Sequence, residues 1–219
     1  MDPISGKNIS FALAKCIEHT SVQQIAGSGW AGTVTLLREY GLGDDGELTV
    51  RPFAGYERLH DQLLAQEQDV LAEAVELSEV SGRALHIMLS MSNYIGNGKC
   101  GVRFLSNEAN QYVEFYYDNE RGKFCLNTIF AGNTDTKGCT YLDYGSGGEA
   151  KLDIFIDKSS VEIYIDGKCA MSSRLYLGAE CDKLKLIGKG FTVNELSVYS
   201  MKNCFELVND SEEHEKNNK

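Results

Sequence analysis

Proline is nearly absent from this sequence: Pro3 and Pro52 are the only two among 219 residues. Neither interrupts an alternating run, so the interiors of those runs are free of the one residue that cannot donate to a sheet ladder. Positive charge is also scarce. With 21 Lys and Arg against 32 Asp and Glu, a formal net charge of -11 and no basic stripe, the chain has no means of displacing the counterions of a phosphate backbone, and a nucleic-acid role is excluded. No apolar run approaches the roughly 20 residues of a membrane helix, and no membrane partner is expected. Met1–Ser5 lacks a basic region followed by an apolar stretch, so no secretory signal is read there. Paired cysteines are missing as well. Cys16, Cys100, Cys125, Cys139, Cys169, Cys181 and Cys204 make an odd count without any C-x-x-C, which yields neither a zinc site nor a disulfide framework. Several sit among apolar residues, as in Phe124-Cys125-Leu126, where a thiol behaves as a small hydrophobe. Reduced cysteine favours a cytoplasmic setting. Two glycosylation triplets, at Asn8 and Asn209, are too short to carry weight.

What is present is alternation of period two. Leu152, Ile154 and Ile156 alternate with Asp153, Phe155 and Asp157, and Val161, Ile163 and Ile165 alternate with Glu162, Tyr164 and Asp166, each run presenting one apolar face. Asp45-Gly46, Asn119-Glu120-Arg121-Gly122 and Asp166-Gly167 lie between such runs and tolerate the positive φ of tight hairpins. Strands are predicted at 33–40, 47–53, 69–77, 83–91, 100–106, 111–117, 123–130, 151–157, 160–165, 168–176, 183–187 and 193–201. So many short strands imply an all-β fold, a two-sheet antiparallel β-sandwich of jelly-roll or concanavalin-like type. Tyr56, Leu59, Leu63 and Leu64 share one face at helical spacing, which predicts one short connector helix. The tail from Asn209 has no apolar residue and is expected to be disordered.

Two long segments carry a recognisable pattern. The first runs from Gly29-Trp30-Ala31-Gly32 through Thr33-Val34-Thr35-Leu36-Leu37-Arg38-Glu39-Tyr40, Asp45-Gly46-Glu47-Leu48 and Arg51-Pro52 to Tyr56-Glu57-Arg58-Leu59. The second runs from Leu152-Asp153-Ile154-Phe155-Ile156-Asp157 through Ser159-Ser160-Val161-Glu162-Ile163-Tyr164 to Ser172-Ser173-Arg174-Leu175-Tyr176. In this order they resemble the junction strand and the late motif of glycoside hydrolase family 32, and Gly6-Lys7-Asn8-Ile9-Ser10-Phe11 resembles its last propeller segment. The sequence departs from that pattern at Leu37, where proline is usual, and near Ala14, where an aromatic residue is common. The resemblance covers about residues 6 to 202. It implies three parts: 1–32, a remnant of the last propeller blade and the junction; 33–202, a C-terminal β-sandwich; and 203–219, a charged tail.

The resemblance also implies what the chain does not contain. Retaining hydrolysis of β-fructosides uses a nucleophilic carboxylate and an acid/base carboxylate about 5.5 Å apart. In the family both sit on the propeller, in contexts such as W-M-N-D-P-N-G, and none of these occurs here. Asp2 before Pro3 and Glu180 before Cys181 are decoys without the flanking residues. No catalytic, cofactor-binding or metal-binding residue is therefore assigned, and no cofactor. His19, His60, His86 and His214 have no ligand spacing and read as structural or surface residues. Gly96-Asn97-Gly98-Lys99 and Gly145-Ser146-Gly147-Gly148 read as loops, since neither stands between a strand and a helix as a phosphate cradle does. Tyr112, Phe115, Tyr116 and Tyr117 form an aromatic strand that serves either packing or a sugar platform. Two functions follow: a non-catalytic support for a catalytic β-propeller of a family acting on sucrose or fructan, or a free-standing fructan-binding module like the family 66 binding modules. The segment around Phe11 and Trp30 favours the first, since a binding module needs no propeller strands.

Overall fold

The computed structural model describes residues 8–14, 33–131, 138–145 and 148–203. Trp30, Cys16, Cys204, Asp2, His19, His214 and the acidic tail lie outside them. Two antiparallel sheets stack face to face. One has six strands, in the order β14 (Cys169–Arg174), β13 (Ser160–Ile165), β12 (Glu149–Asp157), β7 (Ala84–Ser92), β16 (Thr192–Met201) and β6 (His60–Leu71). The other has five, in the order β11 (Cys139–Leu142), β10 (Lys123–Asn127), β9 (Val113–Asp118), β8 (Lys99–Ser106) and β15 (Lys183–Ile187).

Alternation fixes the register. Leu152, Ile154 and Ile156 of β12 stand opposite Leu89, Ile87 and Leu85 of β7 on one side and Ile165, Ile163 and Val161 of β13 on the other. A slip of one residue would turn this whole inward row to the outside. From the second sheet Val102, Phe104, Phe115, Phe124 and Leu126 meet that row, all buried in one continuous core. The β13–β14 hairpin closes through Asp166 and Gly167, with φ of 52° and 64°, the paired left-handed residues that match the twist of a two-residue turn.

A smaller three-stranded sheet, β1 (Asn8–Ser10), β4 (Arg38–Leu42) and β5 (Leu48–Pro52), and the short pair β2 (Leu13–Ala14) and β3 (Thr33–Val34), form an arm beside the six-stranded sheet. Val50 of β5 packs with Phe155 and Tyr164 of that sheet's outer face in a second core, flanked by Leu36, Tyr40, Tyr56, Ala170 and Met201.

Three expectations are corrected. The connector is a 3-10 turn, Ala54–Leu59, and Leu63 and Leu64 belong to β6. Val198 opposes Ala65 while Tyr199 opposes Leu63, so Leu64 is the extra residue of a bulge, and the two adjacent leucines gave a false helical period. The strand expected at 69–77 ends at Leu71 and is followed by a 3-10 turn, Ala72–Ala74. The strand expected at 33–40 is broken between Val34 and Arg38, because the Leu36 and Leu37 amides donate to the side chains of Glu162 and Tyr56 instead of to a ladder. β11, four residues on the rim of the five-stranded sheet, was not foreseen.

Cys100, Cys125 and Cys181 are buried and free. Burial, the largest influence on each, pushes the Cys100 and Cys125 thiols up to about 11, so few thiolates exist at neutral pH.

Candidate functional site

The outer face of the six-stranded sheet carries the densest polar and aromatic cluster. It is built from the residues that point away from the core: His86 on β7, Asp153 and Phe155 on β12, Glu162 and Tyr164 on β13, Ser172 on β14 and Tyr199 on β16. Period two places each of them there once the apolar row faces inward.

Glu162 is the hub. The residue is 5% exposed, and its carboxylate accepts from both the Leu36 amide and the Arg38 guanidinium, whose Nη2 lies 2.8 Å from Oε2 and whose Nε lies 3.3 Å from it. The Tyr164 hydroxyl donates to the same oxygen at 3.2 Å. Burial, and then the Glu162 charge, push the Tyr164 phenol well above its ordinary range. Arg38 also donates to the Ser172 hydroxyl and lies over the Tyr164 ring. One buried carboxylate thus holds the first turn of the arm against the sheet through charge-assisted bonds.

Further contacts seat the arm at both ends. The Leu37 amide donates to the Tyr56 hydroxyl at 2.6 Å, and the Tyr56 ring packs on Phe155 with centroids 5.8 Å apart. At the far end the Val50 amide donates to the Gly167 carbonyl at 2.8 Å, while Lys168 Nζ reaches Asp45 at 2.7 Å and Glu47 at 2.9 Å. These ion pairs are exposed and contribute little.

Beside this cluster the two histidines meet. His60 Nε2 lies 2.8 Å from His86 Nδ1, and His86 Nε2 lies 3.3 Å from Asp153 Oδ1. The His60 ring stacks on Tyr199 with centroids 4.0 Å apart, and the His86 ring on Phe155 at 3.9 Å. In the sequence these histidines stand 26 positions apart with no ligand spacing between them. Register alone joins them: His86 opposes Tyr199, and His60 opposes Met201 on the strand beyond. Among the described residues no three His, Cys, Asp or Glu side chains gather as a metal group.

The opposite face is different in kind. Phe115 and Tyr117 point into the core, and Tyr116 lies buried on the outside. Tyr112 is covered by Arg103, 3.7 Å over its ring, and stacks on Phe130 at 4.7 Å. Arg103 is held in turn by Glu114. Glu180 lies exposed in the loop after β14, beside Cys181. Among the described residues no helix is long and apolar enough to cross a membrane.

Comparison with known proteins agrees with this architecture. The profile described as Glycosyl hydrolases family 32 C terminal matches residues 57–200. A sucrose-6-phosphate hydrolase of Escherichia coli is 31% identical over 159 residues, which are 72% of this chain and 32% of that protein. A raffinose invertase of Escherichia coli is 28% identical over the same shares. The chain thus spans about a third of the length of these relatives. Among solved structures, fructan 1-exohydrolase IIa from Cichorium intybus superposes with a TM-score of 0.76 at 17% identity, over 93% of this chain and 47% of that one, a likeness of fold. With the profile spanning most of the sandwich, and a β-sandwich at its core, the chain belongs to glycosyl hydrolase family 32 and carries that family's C-terminal domain.

Proposed function

We propose that this chain is a non-catalytic support module that seats a catalytic β-propeller hydrolysing sucrose or fructans. The observation that carries this reading is the anchoring of the junction arm by Glu162, which spends a buried carboxylate on holding residues 36–38 in place. A free-standing sugar-binding domain has no use for such an anchor. In this reading 1–32 belongs to the propeller's last blade and its junction, 33–202 to the sandwich and 203–219 to a tail. Apolar side chains fit that division: Phe11, Leu13 and Val34 are 61%, 70% and 58% exposed on the arm, where a propeller would cover them. The nucleophile and the acid/base then come from the propeller, and this chain's contribution is to fix the orientation of the blade that enters it.

The test is calorimetry with levan and inulin, together with mixing against a separately expressed propeller from a close relative. Association with the propeller, without sugar binding by the chain alone, is expected. Millimolar or tighter fructan binding without a propeller would favour the binding-module reading instead.

A further inference from the structure

Two imidazoles that share one hydrogen bond can count protons. With His60 Nε2 and His86 Nδ1 2.8 Å apart, one of the two nitrogens must carry the hydrogen and the other a lone pair. The arrangement that satisfies every neighbour has His60 Nε2–H donating to His86 Nδ1 and His86 Nε2–H donating to Asp153 Oδ1, 3.3 Å away, with both rings neutral. A first proton enters at His60 Nδ1 without breaking either bond. Placed on His86 instead, the same proton would let that ring donate from both nitrogens, to His60 and to the Asp153 carboxylate. A second proton puts hydrogens on both facing nitrogens. The shared bond is then lost, and two cations face each other with ring centroids 5.1 Å apart, one of them in a side chain only 4% exposed.

The charged groups around the pair do not offset this. Asp153 on β12 compensates one imidazolium, and Glu57 of the 3-10 turn favours the charged form of His60. β16 offers the neutral ring of Tyr199, β12 the apolar ring of Phe155, and the Lys202 side chain beyond β16 and Arg58 on the turn are exposed cations. Burial and the neighbouring His86 outweigh Glu57 and hold His60 below the ordinary histidine range.

The contacts lead straight to the arm. His60 ends the 3-10 turn, donating its amide to the Glu57 carbonyl, and Lys202 donates to the Leu59 carbonyl at 2.7 Å. His86 stacks on Phe155, Phe155 packs on Tyr56, and Tyr56 accepts the Leu37 amide. We infer that His60 and His86 form a proton-operated latch: the pair stays closed through its first protonation and opens on the second, loosening the 54–59 turn and the Leu37 end of the junction arm in acid. This concerns the chain's own arm and needs no propeller to be bound.

The sign follows from the depressed affinity of His60. The unfolded chain binds protons first, near pH 6.5, so the contribution of the closed latch is whole above that pH and is lost as pH falls below it. The experiment titrates the full chain from pH 8 to 4, following the ring nitrogens of both histidines by NMR and the exchange protection of the Leu37 amide. Two steps are expected, more than one pH unit apart, which is a tenfold difference in proton affinity. Between pH 6.5 and the second step, protection of Leu37 should fall by up to about tenfold per pH unit, the signature of one linked proton, and level off below that step. His60→Gln keeps an N–H for His86 Nδ1 but cannot titrate, and its protection should not vary with pH over this range. Asp153→Asn should lower the first step. Two independent titrations near 6.5, an equal acid loss of protection in His60→Gln, or no shift in Asp153→Asn would each overturn the latch.

Discussion

Glu162 shows how far one position can depart from what its neighbourhood suggests. In sequence it is the polar member of an alternating run, the type of residue usually left in water. In the fold its position on the outer face is as expected, but the arm covers that face, and the carboxylate becomes the buried partner of Arg38. Removing it strands a guanidinium that is 13% exposed. Glu162→Ala should therefore destabilise the chain by about 3–5 kcal/mol, the usual cost of orphaning one half of a buried pair, read as a lowered denaturation midpoint. A loss under about 1 kcal/mol, as for a surface pair, would mean that the arm is not anchored there. The alternation made the facing of Glu162 legible. Its burial was not, because nothing local to Ser160–Ile165 says that residues more than a hundred positions earlier return to cover it. The same holds for His60 and His86, whose meeting is a product of register between β6, β16 and β7.

Elements were legible where one period ran unbroken. β12, β13 and β15 lie within two residues of their expected ends, because each alternates cleanly between turn residues. The misreadings fall where the period is broken: at the bulge of β6, and in 35–37, where backbone donors go to side chains. β11 is four residues long and partly exposed throughout, too short for alternation to stand out. The arm's first strands permit a prediction at this scale. Among the described residues every buried member of the two cores lies between Val50 and Val198, and β1 and β2 are held chiefly by ladder bonds to β4 and β3. A chain beginning at Gly32 should keep a single cooperative melt and lose about 1–3 kcal/mol, the net worth of a few such bonds. Loss of the cooperative transition would place 8–14 within the sandwich and move the proposed boundary upstream.

At the scale of the whole molecule the two outer faces divide the work. One is elaborated into a junction with a buried ion pair, stacked rings and a seated arm. The other covers its outward rings with cations, Lys99 over Tyr116, Arg103 over Tyr112 and Arg121 over Tyr141. The sequence resemblance anticipated the first in outline, since both long motifs contribute to it: Leu36 and Arg38 from one, Phe155, Glu162, Tyr164 and Ser172 from the other. In the support reading the pair of carboxylates that retaining glycoside hydrolysis requires comes from the propeller. The purified chain should accordingly release no fructose from sucrose, inulin or levan in a reducing-sugar assay. Fructose release abolished by Glu180→Gln would give that exposed loop a catalytic role and end the support reading.

Among the described residues β6 is the last strand of the six-stranded sheet, twelve residues long, and an edge strand of this kind offers amides and carbonyls that another chain could copy. Its composition works against such recruitment. Asp61, Glu67 and Asp69 place like charges along the rim, Asp69 turns the backbone out of line with a φ of 52°, and two irregularities against β16 bend the strand before it can present a straight template. A copy of the molecule approaching this rim would meet its own negative charges in a curved, interrupted register, so the bulge that disguises β6 as a helix in the sequence also helps to stop the sheet from growing.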